Sequence, residues 1–218
     1  MQSDEKDQSF MDQYKCPTGL QGKTVAESMN LHHSALTDWG LKKVGIKPAF
    51  KILDVGCGGG KTIKKLAKLA SRGKVFGIDY SKDMVAYSKE VNSNLISQKK
   101  VSIEECSIVK TNFSSNFFDL VTAIETYYFW SSLSDAFQEI KRILKPNGNL
   151  LLINEMIKDG VYEIKNAKLI KKTHVHLISL PKIQQTLESV GFTNVKIFRK
   201  PKSPWNAVLA QKPWVVQK

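Results

Sequence analysis

The stretch ILDVGCGGGKT at residues 52–62 constrains the fold of this chain more than any other. An apolar run ends in a turn holding Gly56, Gly58, Gly59 and Gly60, and Lys61-Thr62 then open an amphipathic segment. The pattern suits a strand, a tight turn and a helix, because glycine tolerates the left-handed backbone that such turns require. Three ligand classes share this outline, and spacing separates them. A phosphate-binding P-loop needs a glycine five residues before Gly60, where Val55 stands, and a loop begun at Gly56 is one residue short. No later strand ending in a magnesium-binding Asp is evident beside it. The dinucleotide fingerprint GxGxxG, begun at Gly56, requires glycine where Lys61 stands, and begun at Gly58 it lands on Ile63. The pattern DxGxGxG fits without exception as Asp54, Gly56, Gly58 and Gly60.

Beyond this turn, strand-like runs alternate with helical ones. FKILDVG (50–56), KVFGID (74–79), VSIEEC (101–106), FDLVTAIE (118–125) and NLLLINEM (149–156) read as five buried strands. KTIKKLAKLASR (61–72) is amphipathic, with Ile63, Leu66, Ala67 and Ala70 inward and Lys61, Lys64, Lys65 and Lys68 outward. Ser81 is placed to cap a helix running to about Ile96, with Asp83 in its first turn. LSDAFQEIKRILK (133–145) is a helix stopped by Pro146-Asn147-Gly148. Residues 27–44 carry a looser helical pattern that Pro48 ends. After a helix at 181–190, TNVKIFRK and WNAVLAQK supply two more strands. Strands alternating with helices imply βαβ units and a parallel sheet covered on both faces.

On these residues the chain resembles the class I S-adenosylmethionine-dependent methyltransferases, whose first motif has the form seen at Asp54–Gly60. The resemblance covers about residues 50–155. GIDYS resembles the family's second motif, FFDLVTAIE its fourth strand, and IKRILKPNGNLLL its helix, turn and fifth strand, with Asn147 in place of a glycine. It implies a Rossmann-like three-layer α/β sandwich, with a mainly parallel seven-stranded sheet and an antiparallel C-terminal strand. It implies S-adenosyl-L-methionine as cofactor and S-adenosyl-L-homocysteine as product. Glycines let the backbone pass close under a nucleoside without pyrophosphate, and the next helix's N-terminus favours the methionine carboxylate. Asp79, 23 residues after Gly56, can accept both ribose hydroxyls, although a helix-capping Asp would also stand there. Tyr80 is placed to pack on the adenine, Met84 to serve as core or cofactor wall, and Glu125 to meet the cofactor's charged tail. The acidic partner of the adenine amino group falls on Ser107, next to Ile108, where a hydroxyl accepts more weakly.

The acceptor should sit over the ends of strands four and five, where ETYYFW (125–130) and NEM (154–156) stand. Methyl transfer is an in-line displacement, so the protein positions the acceptor and, where needed, removes a proton. Tyr127, Tyr128, Phe129 and Trp130 are either core or the wall of a pocket for an apolar or planar molecule. The candidate catalytic residues are His33, Tyr128 and Glu155. His32, His33 or Trp39 can close the pocket from the N-terminal helix, surface histidines and a solvated Glu155 being the alternatives. His174 and His176 form an HxH pair with no further ligand near in sequence, so no metal is expected. Neither the Asn/Asp-Pro-Pro-Tyr/Phe motif for a planar amine nor a Pro-Cys nucleophile is present, which counts against a nucleic-acid base.

Composition narrows the partners. The 218 residues, 42% apolar, suit one ordinary domain with a full core, and no apolar run approaches the roughly 18–20 residues of a membrane span. Residues 1–19 read as a flexible tail, because MQSDEKDQSFMDQYK lacks the apolar stretch of a signal peptide. Residues 20–218 then form one domain. It divides into N-terminal cap helices at 20–48, a cofactor-binding core at 49–156, a candidate lid insert at 157–180, and a helix with two strands at 181–218. Cys16, Cys57 and Cys106 are an odd set without a CxxC pair, which argues against a disulfide framework and suits a reducing cytoplasm. The net charge is +13, yet 30 of the 33 basic residues are lysine. Residues 158–218 hold 12 bases against three acids, and Lys165, Lys168 and Lys172 share one helical face. Phosphate and guanine recognition favours arginine, so a solvated lysine surface is favoured over a nucleic-acid face. The sequence thus implies a small-molecule methyltransferase, monomer or homodimer. An RNA methyltransferase and a non-catalytic cofactor-binding protein are the alternatives.

Overall fold

The computed structural model describes Gln13 and residues 18–167, 170–171 and 175–214. The expected tail falls almost wholly outside them, as do Cys16, Lys168, Lys172 and His174. Two helices, α1 (Gly19–His32) and α2 (Ser34–Leu41), precede a regular alternation. This runs β1 (Lys51–Val55), α3 (Lys61–Leu69), β2 (Lys74–Asp79), α4 (Lys82–Val91), α5 (Ser93–Ser97), β3 (Val101–Glu105) and β4 (Phe118–Ile124). A 3-10 turn at Tyr127–Phe129 leads to α6 (Leu133–Ile143), β5 (Leu144–Asn154), α7 (Val161–Lys165), α8 (Leu180–Ser189), β6 (Thr193–Arg199) and β7 (Asn206–Gln211).

All seven strands lie in one sheet of order β3-β2-β1-β4-β5-β7-β6. Every pairing from β3 to β5 is parallel, and β7 is antiparallel to both β5 and β6. The three-layer sandwich with one antiparallel C-terminal strand is therefore present. Period-two alternation loads both faces. Ile52 joins Ile63, Leu66 and Val85 beneath α3 and α4, while Leu53 joins Phe137, Ile140 and Ile183 beneath α6 and α8. Strand order reverses between β1 and β4, which opens a crevice at the strands' C-terminal ends. Among the described residues no helix is long and apolar enough to cross a membrane.

Four details depart from the sequence reading. The loose pattern at 27–44 is two helices meeting at His33, the first starting at Gly19 beside the expected boundary of the cap helices and the second ending at Leu41, well short of Pro48. The helix expected to reach Ile96 breaks at Asn92, whose Nδ2 donates to Gly60 O at 3.1 Å and Ser88 O at 2.8 Å. Pro146-Asn147-Gly148 does not separate α6 from β5 but lies within the strand. The register shifts there, Asn147 has φ +60°, and its amide donates to Lys212 O at 2.9 Å. Lys65, expected outward, is half-buried and bridges to α2, with its ammonium 3.0 Å from Ser34 O and 2.5 Å from Asp38 Oδ1.

Candidate functional site

The glycine turn is built by what surrounds it. The amides of Gly56 and Cys57 donate to Ile78 O at 2.8 and 3.0 Å, which ties the turn to β2. Gly56 has φ +66°, and a Cβ there would strike the Thr126 side chain. Gly60, at φ +76°, is the N-cap of α3. It lines none of the crevice and shapes the turn. Asp79 closes the arrangement, its Oδ2 accepting Gly58 N–H and its Oδ1 accepting Ser81 N–H, both at 2.9 Å. Burial raises the Asp79 carboxyl above its usual range, and hydrogen bonds from Ser81, Gly58 and Tyr80 oppose the rise. Asp79 thus fixes the backbone on both sides of the crevice and is at the same time part of its wall, while the helix cap falls to Ser81. Ser81 caps α4 by accepting Met84 N–H at 3.3 Å.

Three cavities lie along the strand ends. The first, of about 110 Å³, is lined by Asp54, Gly56, Gly58, Asp79, Tyr80, Met84 and Glu125 among others. Burial lifts Asp54 to about 7, opposed by the Thr122 hydroxyl at 2.6 Å and helped by the Asp79 charge. A second cavity, of about 240 Å³, shares Gly56, Asp79, Tyr80, Thr126 and Phe129 with the first and adds Ser107, Ile108 and Trp130. Together they form one trough across the ends of β1, β2 and β4. A third chamber, of about 430 Å³, is lined by His32, His33, Tyr128, Glu155, Met156 and Val175. It shares Met29, His33, Glu125 and Phe129 with the trough, and these four form the neck between them.

Glu125 commands that neck. Its backbone has φ +54°, a conformation that costs a non-glycine residue roughly 1–3 kcal/mol. Its Oε1 accepts the amide of Glu155 through a very short contact and the Tyr128 hydroxyl at 3.1 Å. Burial pushes its carboxyl up to about 8, and the Glu155 amide pulls the other way. Tyr128 is itself buried, so its hydroxyl positions Glu125. His33 Nε2 lies 4.0 Å from Glu125 Oε2, and burial with the His32 charge lowers its imidazole to about 4. His32 Nε2 pairs with Glu155 Oε2 at 3.2 Å.

Every residue assigned to catalysis or cofactor binding from the sequence, Gly60 excepted, lines one of these three cavities. Tyr127 is buried in the core, whereas Phe129 and Trp130 form walls. Trp39 packs on Trp205, with ring centroids 6.3 Å apart, and lines none of the three. Met29, Met156 and Val175 were not singled out. Met29 stands four residues before His33, a helical spacing that places both on one face. Val175 carries no such signal.

Residues 53–152 match the family described as a methyltransferase domain. Cycloartenol-C-24-methyltransferase 1 of Oryza sativa subsp. japonica is 32% identical over 146 residues, 67% of this chain and 41% of that protein. The chain thus spans less than half of that relative's length. Among solved structures, it superposes on the chain bound to the Haloferax volcanii Trm112 methyltransferase activator with a TM-score of 0.77. The identity is 16%, and the match covers 94% of this chain and 98% of that one. Phosphoethanolamine N-methyltransferase 2 of Haemonchus contortus, solved with phosphomonomethylethanolamine and S-adenosylhomocysteine, gives 0.70 at 19% identity, covering 82% of this chain and 52% of that one.

Proposed function

The chain belongs to the class I S-adenosylmethionine-dependent methyltransferases, and on that premise we propose that it moves the methyl group of S-adenosyl-L-methionine to a small-molecule O, N or S acceptor, releasing S-adenosyl-L-homocysteine. The observation that carries this reading is the neck at Met29, His33, Glu125 and Phe129. A displacement at carbon needs nucleophile, methyl and sulfur in line. A trough and a chamber that share one narrow wall supply that alignment. The two comparison enzymes are named for a carbon of cycloartenol and for phosphoethanolamine, both small molecules.

In this reading the nucleoside lies in the trough. Asp79 accepts the ribose hydroxyls with the lone pairs its backbone contacts leave free. Tyr80 and Ile108 flank the adenine, Ser107 accepts from its amino group, and Met84 walls the ribose. The turn at Gly56 and Gly58 passes under the methionine moiety, held from below by Asp54. Glu125 meets the ammonium of that moiety, whose charge draws the carboxyl back towards ionisation. The acceptor occupies the chamber. Where it must lose a proton, His33, uncharged at neutral pH, and Glu155 are the groups that reach it. The described part of residues 157–180 acts as the lid, since Val175 walls the chamber and the His176 amide donates to Tyr128 O at 3.4 Å. A reducing cytoplasm suits the free thiols Cys57 and Cys106.

The test is calorimetric titration with S-adenosylmethionine and S-adenosylhomocysteine, alongside NAD and ATP. Micromolar binding of the first pair alone is expected. Binding of NAD or ATP in its place would overturn the reading.

A further inference from the structure

His32, His33 and Glu155 stand together at the rim of the chamber, and their ligand atoms all lie within 4.8 Å of one another. The set is unusual in how the chain produces it. Adjacent residues of a continuous helix point about 100° apart and do not converge. Here α1 ends at His32, α2 begins at Ser34, and His33 between them has φ −84° and ψ 0°. That break brings the two imidazoles edge to face, with centroids 5.1 Å apart. Glu155 reaches the same point from the end of β5, where Glu125 holds its amide.

His33 adds a second observation. Its side chain is only 20% exposed, yet no hydrogen bond of its ring is found among the described residues. Its nearest carboxylate, Glu125, stays 4.0 Å away. A largely buried imidazole that faces a cavity without a partner is a donor waiting for an acceptor.

We propose that His32, His33 and Glu155 bind a first-row divalent transition-metal ion at the chamber rim, and that its open coordination positions take an anionic or ionisable oxygen or sulfur of the acceptor. Two imidazoles and one carboxylate select Zn²⁺, Fe²⁺ or Co²⁺ over Mg²⁺ and Ca²⁺, which prefer oxygen alone. Three protein donors leave at least one position for substrate. Donors of a tetrahedral site with bonds of about 2.0–2.1 Å stand roughly 3.3 Å apart, so ring rotation closes the set by about 1.5 Å. His32, mostly exposed, is free to make that turn. The ion lowers the pKa of a bound hydroxyl or thiol, which loses its proton to solvent before transfer. The anion then attacks the methyl carbon as its bond to sulfur breaks and S-adenosylhomocysteine leaves, so His33 and Glu155 serve as ligands in place of bases. Glu125 lines both the trough and the chamber, and its carboxylate lies 4.0 Å from His33 Nε2. The role of the ion rests on the methyl-transfer reading, whereas its binding does not.

The experiment uses the full chain without an affinity tag, stripped with chelator and titrated with Co²⁺, whose visible spectrum reports coordination. One equivalent with a low-symmetry spectrum is expected, displaced by Zn²⁺. His32→Ala, on an exposed side chain, should fold normally and weaken binding at least about tenfold, and Glu155→Gln should do the same. A silent spectrum, or undiminished binding by both variants, would overturn the site. S-adenosylhomocysteine is titrated into the same samples. Cofactor binding without metal binding overturns this inference alone, and metal binding without cofactor binding overturns the methyl-transfer role alone.

Discussion

The carboxylate of Asp79 accepts the amide of Gly58 at 2.9 Å, so the last residue of β2 holds the turn that follows β1. One side chain therefore serves two purposes, fixing the backbone and lining the crevice. Asp79→Ala should abolish binding of S-adenosylmethionine. It also strands the partly buried amide of Gly58 and the buried amide of Ser81, at a cost of about 1–3 kcal/mol each where water does not replace the carboxylate. Calorimetry and urea unfolding on one sample measure both effects. Unchanged affinity would remove Asp79 from the cofactor site, and unchanged stability would remove it from the turn.

Gly56 faces Thr126 across the same crevice. Its φ of +66° costs a side chain roughly 1–2 kcal/mol, and a Cβ would also collide with Thr126. Gly56→Ala should lower stability by about 2 kcal/mol or more and displace the turn at Thr126–Phe129. Adding Thr126→Ala removes the hydroxyl and methyl but leaves a Cβ 2.9 Å from the new one, so it should recover only part of the collision and none of the backbone cost. Full recovery in the double variant would show that the left-handed conformation is not what requires glycine.

These two contacts show what was legible in the sequence. The strands could be read because a sheet buried on both faces needs near-continuous apolar runs such as Ile52–Leu53 and Leu150–Ile153. Once strand ends were placed, Asp54, Asp79 and Glu125 fell at the crevice of their own accord. Contacts from distant residues were not legible. The break at Asn92 answers to the carbonyl of Gly60, 32 positions away, and the early start of β5 answers to Lys212, the residue just after β7. The first turns of α1 carried no periodic signal, because GLQGKTVAES has no apolar repeat, and among the described side chains of that stretch Val25 and Ala26 are the buried apolar ones. The chamber's place over the ends of β4 and β5 was legible, but its wall at Val175 was not, because that residue comes from the segment where the alternation stops.

Glu125→Gln separates charge from shape at the neck. The amide oxygen of glutamine can still accept from the Glu155 amide and the Tyr128 hydroxyl, so the melting temperature should hold. Affinity for S-adenosylmethionine should fall about tenfold or more, the loss of one charge-assisted contact to its ammonium. An unaltered affinity with an unaltered fold would take Glu125 out of cofactor recognition.

Asp54 makes stability depend on pH in a direction opposite to that of a salt-bridged carboxylate. Burial holds its carboxyl at about 7 in the folded protein, against an ordinary value of 3.8. Between those values the folded chain keeps a proton that the unfolded chain releases, so rising pH favours unfolding. The contribution is complete below about pH 4 and is lost as pH climbs through about 7, with a ceiling of about 4 kcal/mol. Asp54→Asn removes this dependence and retains the hydrogen bond from Thr122, since the amide oxygen also accepts. Melting curves of the cofactor-free protein should therefore show the variant more stable than the parent at pH 8, with the gap closing towards pH 4. Parallel curves across that range would mean that Asp54 ionises freely in the folded protein, with water or a cation reaching it beneath the glycine turn.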